Sequence, residues 1–250
     1  MKLSKYKKNI HSQNGEDGIL LFLLKKLKIL EKKKDLWCCE FGAWDGIHGS
    51  NTFNLVKNYN FNAVYIEGEK SRFKDLLKTQ KKYPKIKAFN KFIEYKKKSK
   101  NLLDNILKKT NIKKNFDILS IDIDSFDLAV WKSLKNYNPK IVVIEINSGI
   151  KPGIDQVHSK DKIGNSFTST VSFAKKKNYE LVYHTGNCIF LKKKYIKMIG
   201  LKNIYINNPE LLFDKSWLDK KENFVKIIIK RFLPIKLIDL LKKLRILLKI

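Results

Sequence analysis

The sequence predicts an α/β chain whose sheet is mostly parallel and covered on both faces by helices. Three observations carry that expectation. Near-continuous Ile and Val runs over 116–124 and 140–147 are separated by segments of helix length, the pattern of strands buried on both sides. An apolar run over 36–41 empties into a loop holding Gly42 and Gly46, which reads as a buried strand followed by a tight turn. The strand candidates also close, one after another, on a carboxylate or an amide: Glu40, Glu67, Asn90, Asp122 with Asp124, and Glu145 with Asn147. Ligands of such sheets gather at the carboxyl ends of the strands, so these polar groups mark a binding face.

Composition narrows the class. A chain of 250 residues with 43% hydrophobic content suits one α/β domain with appendages. The formal charge of +29 does not make nucleic acid an expected partner, because Arg72, Arg231 and Arg245 are the only arginines. Phosphate and base readout favours the planar guanidinium fork, and lysine runs usually coat solvated faces. Three cysteines, two of them the adjacent Cys38 and Cys39 in an apolar strand, form neither a disulfide nor a zinc pattern, which fits a cytoplasmic protein. Residues 1–10 carry no secretory signal pattern, and no apolar run reaches the ~20 residues of a spanning helix.

In chain order, residues 12–34 read as an N-terminal helix, with Ser12 as cap, Glu16 and Asp17 in the first turn and lysines in the last. After the strand at 36–41, Gly42 and Gly46 permit positive φ and let a ligand approach the main chain. Ser50 caps a short helix whose free amides face the same crevice. The second strand, 61–67, ends on Glu67. Counting from Gly46, that is close to the ~20-residue spacing at which an acid reaches a ribose hydroxyl in nucleotide-binding units.

A helix over 70–81, a strand over 86–90, a lysine-rich helix over 102–109 and the strands at 116–124 and 140–147 follow. Residues 148–168 form a long connection at the strand-end face, where such loops are more often binding loops than filler. A helix over 167–177 leads to two apolar runs joined by Thr185-Gly186-Asn187, a hairpin that puts one antiparallel strand into the sheet. Residues 195–250 form a helical extension. From 222 onward its apolar residues alternate with Lys and Arg at helical spacing, broken at Pro234. A cationic amphipathic helix of this kind lies in an anionic membrane surface; docking on the core or on a second subunit is the alternative.

The order Ser12-Gln13 with Glu16-Asp17, then Glu40-Phe41-Gly42-Ala43 with Asp45-Gly46, then Ile66-Glu67, Asn90, Asp122-Ile123-Asp124 and Ile144-Glu145 resembles the FkbM family of S-adenosylmethionine-dependent methyltransferases. The resemblance covers residues 11–191. It implies a class I, Rossmann-like domain over 1–194: a seven-stranded, mostly parallel sheet with one antiparallel strand. It also implies S-adenosyl-L-methionine as cofactor, with Glu40, Gly42 and Gly46 at its methionine end and Glu67 on its ribose hydroxyls. Gln13, Glu16, Asp45, Asn90 and Asp122 complete the expected cofactor site. The chain departs from the family where Glu40 stands for an Asp, Trp44-Asp45 for a loop containing Asn, and Ser125 for a glycine after the fourth strand.

Methyl transfer is an in-line displacement, so a protein aligns the nucleophile, excludes water and removes a proton. Asp124, His158 and His184 are the candidate bases. Asp122, Asp124, Glu145 and Asn147 raise Mg²⁺ as an alternative means of activating a hydroxyl, but the expected site has no metal, because Mg²⁺ usually takes only one or two carboxylates. The expected activity is O-methylation of a hydroxyl on a sugar, glycan or related small molecule. Its rival is a non-catalytic protein that holds an anionic partner, membrane lipid or nucleic acid, on its basic surface and tail. Peripheral contact with the inner face of a membrane is expected through residues 224–250. A dinucleotide-dependent oxidoreductase fits less well, since Gly42 and Gly46 do not complete the three-glycine fingerprint.

Overall fold

The computed structural model describes residues 3–32 and 34–218. Its contacts divide the chain into two units, Met1–Asp214 and Lys215–Ile250. In the second, the described residues form one 3-10 turn, Lys215–Trp217. The amphipathic pattern over 222–250 lies outside the described residues. Among the described residues, no helix is long and apolar enough to cross a membrane.

The first unit is built on seven strands: β1 (Trp37–Phe41), β2 (Asn62–Glu67), β3 (Ile86–Asn90), β4 (Ile118–Ile121), β5 (Ile141–Glu145), β6 (Tyr179–His184) and β7 (Asn187–Lys192). They lie in the order β3-β2-β1-β4-β5-β7-β6. The five strands β1 to β5 pair in parallel, and β7 runs antiparallel to both its neighbours. The sheet is thus the expected Rossmann-like one, with a single reversed strand from the last hairpin. The chain leaves β1 toward β2 on one side and later returns to place β4 on the other. The carboxyl end of β1 is therefore the point where strand order reverses, and a crevice opens there.

Register fixes what stands at that edge. Phe41 pairs with Ile66 on one side and Ile121 on the other, Ile121 pairs with Ile144, and Glu67 pairs with Asn90. One residue further along, Asn90, Glu67, Gly42, Asp122 and Glu145 therefore form a row across five strands. The central strands β4 and β5 are buried throughout up to that row because both faces are covered, whereas the edge strand β3 is only partly buried.

The helices are α1 (Glu16–Lys26), α2 (Phe53–Tyr59), α3 (Lys70–Lys82), α4 (Leu103–Leu107), α5 (Asp127–Ser133), α6 (Phe167–Lys176), α7 (Ile196–Ile199) and α8 (Asn203–Asn207). The largest fully buried side chain, Trp131 of α5, meets the rings of Phe173, Tyr179 and Phe190 at centroid distances of 5.3, 5.5 and 5.4 Å. Those contacts join α5, α6 and the hairpin strands in one cluster on one side of the sheet.

Three expectations change. The helix expected over 12–34 is only α1: Ser12 is not its cap, and at the other end the chain turns left-handed at Lys28, φ 55°. The amides of Ile10, His11 and Ser12 all donate to Asp17 Oδ2 at 2.7–2.8 Å, and the Ser12 hydroxyl accepts from the Asp17 amide at 3.1 Å. That exchange wraps residues 10–12 around the acid, and Gly15, left-handed at φ 99°, starts the helix instead. Strand β4 stops at Ile121 rather than running to 124, because Asp124 turns left-handed at φ 58°. Finally, residues 195–214 belong to the first unit rather than to the extension: Ile196, Ile199, Leu201 and Phe213 are buried in it.

Candidate functional site at the carboxyl edge of the sheet

The glycine loop leaves β1 at Gly42, which is exposed, with φ 73°. Glu40, one turn of pleat earlier, does not reach into the crevice. Its carboxylate is buried and accepts from the Ser50 hydroxyl at 2.6 Å, the Asn51 amide at 2.9 Å, the Thr52 amide at 3.2 Å and the Thr52 hydroxyl at 2.5 Å. Burial pushes its pKa up, and these donors oppose the rise. Expected at the methionine end of a cofactor, Glu40 instead ties the loop's exit to the strand beneath it. Ser50 does serve the start of α2: its oxygen accepts from the Phe53 amide at 2.9 Å.

Glu67 anchors the other side of the loop. One carboxylate oxygen accepts from the Trp44 amide and the other from the Glu69 amide, both at 2.8 Å. Burial raises its pKa, countered by those two amides and by Arg72, whose guanidinium lies 5.0 Å from the Trp44 ring centroid. Asn90 donates to the Glu67 and Gly68 carbonyls at 2.8 and 3.0 Å. Beside these groups opens a cavity of about 510 Å³, lined by Gly68, Glu69, Asn90, Phe92 and Asn101 among others. Phe92, 64% exposed, lies against Gly68, where a Cβ would stand 2.4 Å from its ring.

Across β1, three acids converge. Asp122, Asp124 and Glu145 offer carboxylate oxygens that all lie within 4.8 Å of one another. Burial, reinforced by Asp122, Asp124 and Asp127, pushes the pKa of Glu145 well above the ordinary carboxylate range, so the fold favours its protonated form. Asp127 is pushed up to about 6, chiefly by burial, although it accepts from the Ile123 and Ser125 amides at 2.9 Å. Of the residues weighed for Mg²⁺, these three acids are the ones that could hold it. The Asn147 amide instead donates to the Ile163 carbonyl at 3.0 Å and accepts from the Gly149 amide at 3.1 Å.

The long loop after β5 folds back to this edge. His158 accepts from the Gly164 amide through Nδ1 at 3.0 Å, and its ring meets Phe126 edge-on at 4.4 Å. Phe126 flanks the turn after Asp124 and meets Tyr95 on another side at 4.9 Å. His158 is thus one aromatic ring away from the turn that carries Asp124.

Two expected site residues are elsewhere. His184 ends β6, three strands away from β4, and is fully buried. Its Nε2 lies 2.9 Å from the Ser148 hydroxyl, its Nδ1 accepts from the Asp214 amide at 3.1 Å, and Phe213 stacks on it at 4.6 Å. Burial pushes its pKa down to about 4, so it is a structural neutral imidazole and not a base in the crevice. Glu16 is also fully buried. It accepts from Thr185 Oγ1 at 2.6 Å, Asn187 Nδ2 at 3.2 Å and the Asn14 amide at 2.8 Å, pinning α1 to the β6–β7 turn.

Gln13, by contrast, is exposed and overlies the glycine loop: its Nε2 would be 2.4 Å from a Cβ on Gly49. Sequence reasoning missed His48 in that loop. Its Nδ1 lies 2.5 Å from Asp45 Oδ2, while Asp45 Oδ1 accepts from the Ile47 and His48 amides at 2.9 Å. The available signal was the Asp45–His48 spacing inside a loop already marked by its glycines.

The methyltransferase FkbM domain model matches residues 34–181, from the loop before β1 into β6. The chain belongs to the FkbM methyltransferase family. The match takes in the glycine loop, Glu67, the acid cluster and the loop carrying His158. No curated protein matches the chain.

Solved structures with similar backbones include M. capricolum TrmK in complex with S-adenosyl-homocysteine. It shares 16% identity over 89% of this chain and 93% of that one, with a TM-score of 0.45. The N-terminal domain of EvdMO1 in the presence of S-adenosyl-homocysteine and D-fucose shares 9% identity over 68% of this chain and 82% of that one, TM-score 0.42. A SAM-dependent methyltransferase from Aquifex aeolicus shares 10% identity over 76% and 97%, TM-score 0.39.

Proposed function

We propose that this FkbM methyltransferase uses S-adenosyl-L-methionine to methylate a hydroxyl of a sugar, glycan or related small molecule, without a metal. The observation that carries the reading is the row Asn90, Glu67, Gly42, Asp122 and Glu145 at the reversal of strand order, with a cavity beside Glu67. The residues fit the cofactor. Gly42 exposes bare backbone where a methionine tail would lie; Asp45 and Gly46, expected beside it, are buried, and Gly46 turns its bare side to Leu76 and Tyr65, so they shape the loop from behind. Asn90 lines a cavity large enough for a nucleoside, with the Phe92 ring as an apolar wall, and Glu67 immediately precedes Gly68 on its rim. When bound, the cofactor supplies an electrophilic methyl group on a sulfonium.

The chain's own residues then have separable tasks. Glu67 fixes Trp44 and thereby the loop's course while presenting its remaining lone pairs to ribose hydroxyls. Asp122, Asp124 and Glu145 converge as acceptors for the hydroxyls of an acceptor molecule, and Glu145 in the protonated form that burial favours would add a donor. The Tyr95, Phe126 and His158 rings give that acceptor an apolar wall beside the acids. The first test is calorimetric titration of the full-length protein with S-adenosyl-homocysteine, where micromolar binding is expected. No binding up to millimolar ligand would sink the reading and favour the anion-holding alternative.

A further inference from the structure

We propose that His48, oriented by Asp45, is the catalytic base that takes the proton from the acceptor hydroxyl. The inference rests on the functional reading above and deepens it. All four histidines of the chain are described, and three have other settings. His184 is sealed in the core, and His158 spends Nδ1 on the turn of its own loop. His11 is half-buried edge-on to Phe53 at 4.8 Å, and burial lowers its pKa. His48 stands on the glycine loop itself, between Gly46 and Ser50, with its side chain 40% exposed and its carboxylate partner only 9% exposed.

The geometry is that of an oriented imidazole. A buried carboxylate at Nδ1 selects the tautomer with the proton on that nitrogen, so the basic lone pair is on Nε2, and it stabilises the imidazolium once formed. Asp45 is held in turn by the Ile47 and His48 amides, which fixes the pair to the loop backbone. Asp45 acts through His48 and is a positioning residue. Besides Asp45, His48 interacts with His11, which in turn feels Asp17 on the N-terminal segment and Lys57 of α2.

The step balances. The acceptor oxygen forms its bond to the methyl carbon as the carbon–sulfur bond breaks, and that electron pair stays on sulfur. His48 Nε2 takes the hydroxyl proton. The products are a methyl ether, a neutral thioether and an imidazolium facing Asp45, which later yields its proton to water.

The test reads the His48 titration midpoint from ring ¹⁵N and ¹H shifts of the full-length protein, with each histidine assigned by a His→Gln replacement. S-adenosyl-homocysteine and S-adenosyl-methionine serve as charge probes, since they differ by one methyl and one positive charge. If His48 faces the reacting centre, its midpoint is lower with the sulfonium than with the thioether by at least about half a pH unit. Equal midpoints in the two complexes, or a larger shift at His11 or His158, overturn the assignment and leave the cofactor reading standing. Failure of both ligands to bind overturns both. Asp45→Asn is expected to move His48 toward the other tautomer in the ligand-free protein, read from its ring ¹⁵N shifts; an unchanged ring spectrum removes Asp45 as its positioning residue.

Discussion

A Cβ placed on Gly42 would lie 1.6 Å from the carbonyl oxygen of Asp122, its neighbour in the row of strand ends. The two backbones touch, and nothing larger than hydrogen fits between the end of β1 and the end of β4. The same absence of a side chain leaves Gly42 exposed to the crevice. A position that packs two strands together thus also bares the main chain to a ligand.

Gly42→Ala should therefore be costly, because it meets both a left-handed backbone and a carbonyl that cannot yield as a side chain would. The expected loss is about 2–4 kcal/mol of stability, the sum of strain and overpacking. Chemical denaturation would measure it. A variant within about 0.5 kcal/mol of wild type would mean that the loop relaxes freely.

Glu67→Ala should weaken S-adenosyl-homocysteine binding by about 1–3 kcal/mol, the range for removing a charge-assisted acceptor. The variant also releases the Trp44 amide, so the loop loses its anchor along with the cofactor contact. Calorimetry against wild type decides the point. Unchanged affinity would take Glu67 out of the site.

The pH dependence of stability should show two opposed contributions. His184 has its folded pKa depressed from 6.5 to about 4, so its contribution is full above 6.5 and is lost as pH falls toward 4. That loss amounts to about 3 kcal/mol at the acid end. Asp127 has its folded pKa raised from 3.8 to about 6, so its contribution is full below 3.8 and is lost as pH rises through 6. Thermal melts from pH 4 to 8 should show His184→Gln weakening the protein near neutrality while flattening the acid limb. An acid limb as steep as in wild type would show that His184 is not what titrates there.

Glu145 carries the same sign as Asp127: its protonated form is favoured in the fold, and its contribution falls as pH rises. Glu145→Gln keeps a neutral group at this place in the acid cluster, so the variant should match or exceed wild-type stability at pH 8. Because we propose a site without metal, a chelator should leave the melting temperature and turnover unchanged. Stabilisation of wild type by Mg²⁺ at pH 8, abolished in Glu145→Gln, would make Asp122, Asp124 and Glu145 metal ligands.

The strands and the polar groups that close them are readable in the residue pattern. Apolar runs that end on a polar group can be read because a parallel sheet buries both faces of each strand up to its carboxyl edge. That is why the positions of β1, β2, β3 and the final hairpin, and the polar row at their ends, were legible without coordinates. Which of those polar groups are available depends on how the chain packs around them. A carboxylate at a strand end is the same letter whether it faces a crevice, as the register of Glu67 allows, or turns back under its own loop, as Glu40 does. Glu16, His184 and Ser12 were misplaced for the same reason: their partners are Thr185 and Asn187, Ser148 and Asp214, and Asp17, and most of these are distant in sequence. The Asp45–His48 pair is local, yet its meaning depends on one partner being buried and the other exposed, and burial is set by what the rest of the chain packs around them.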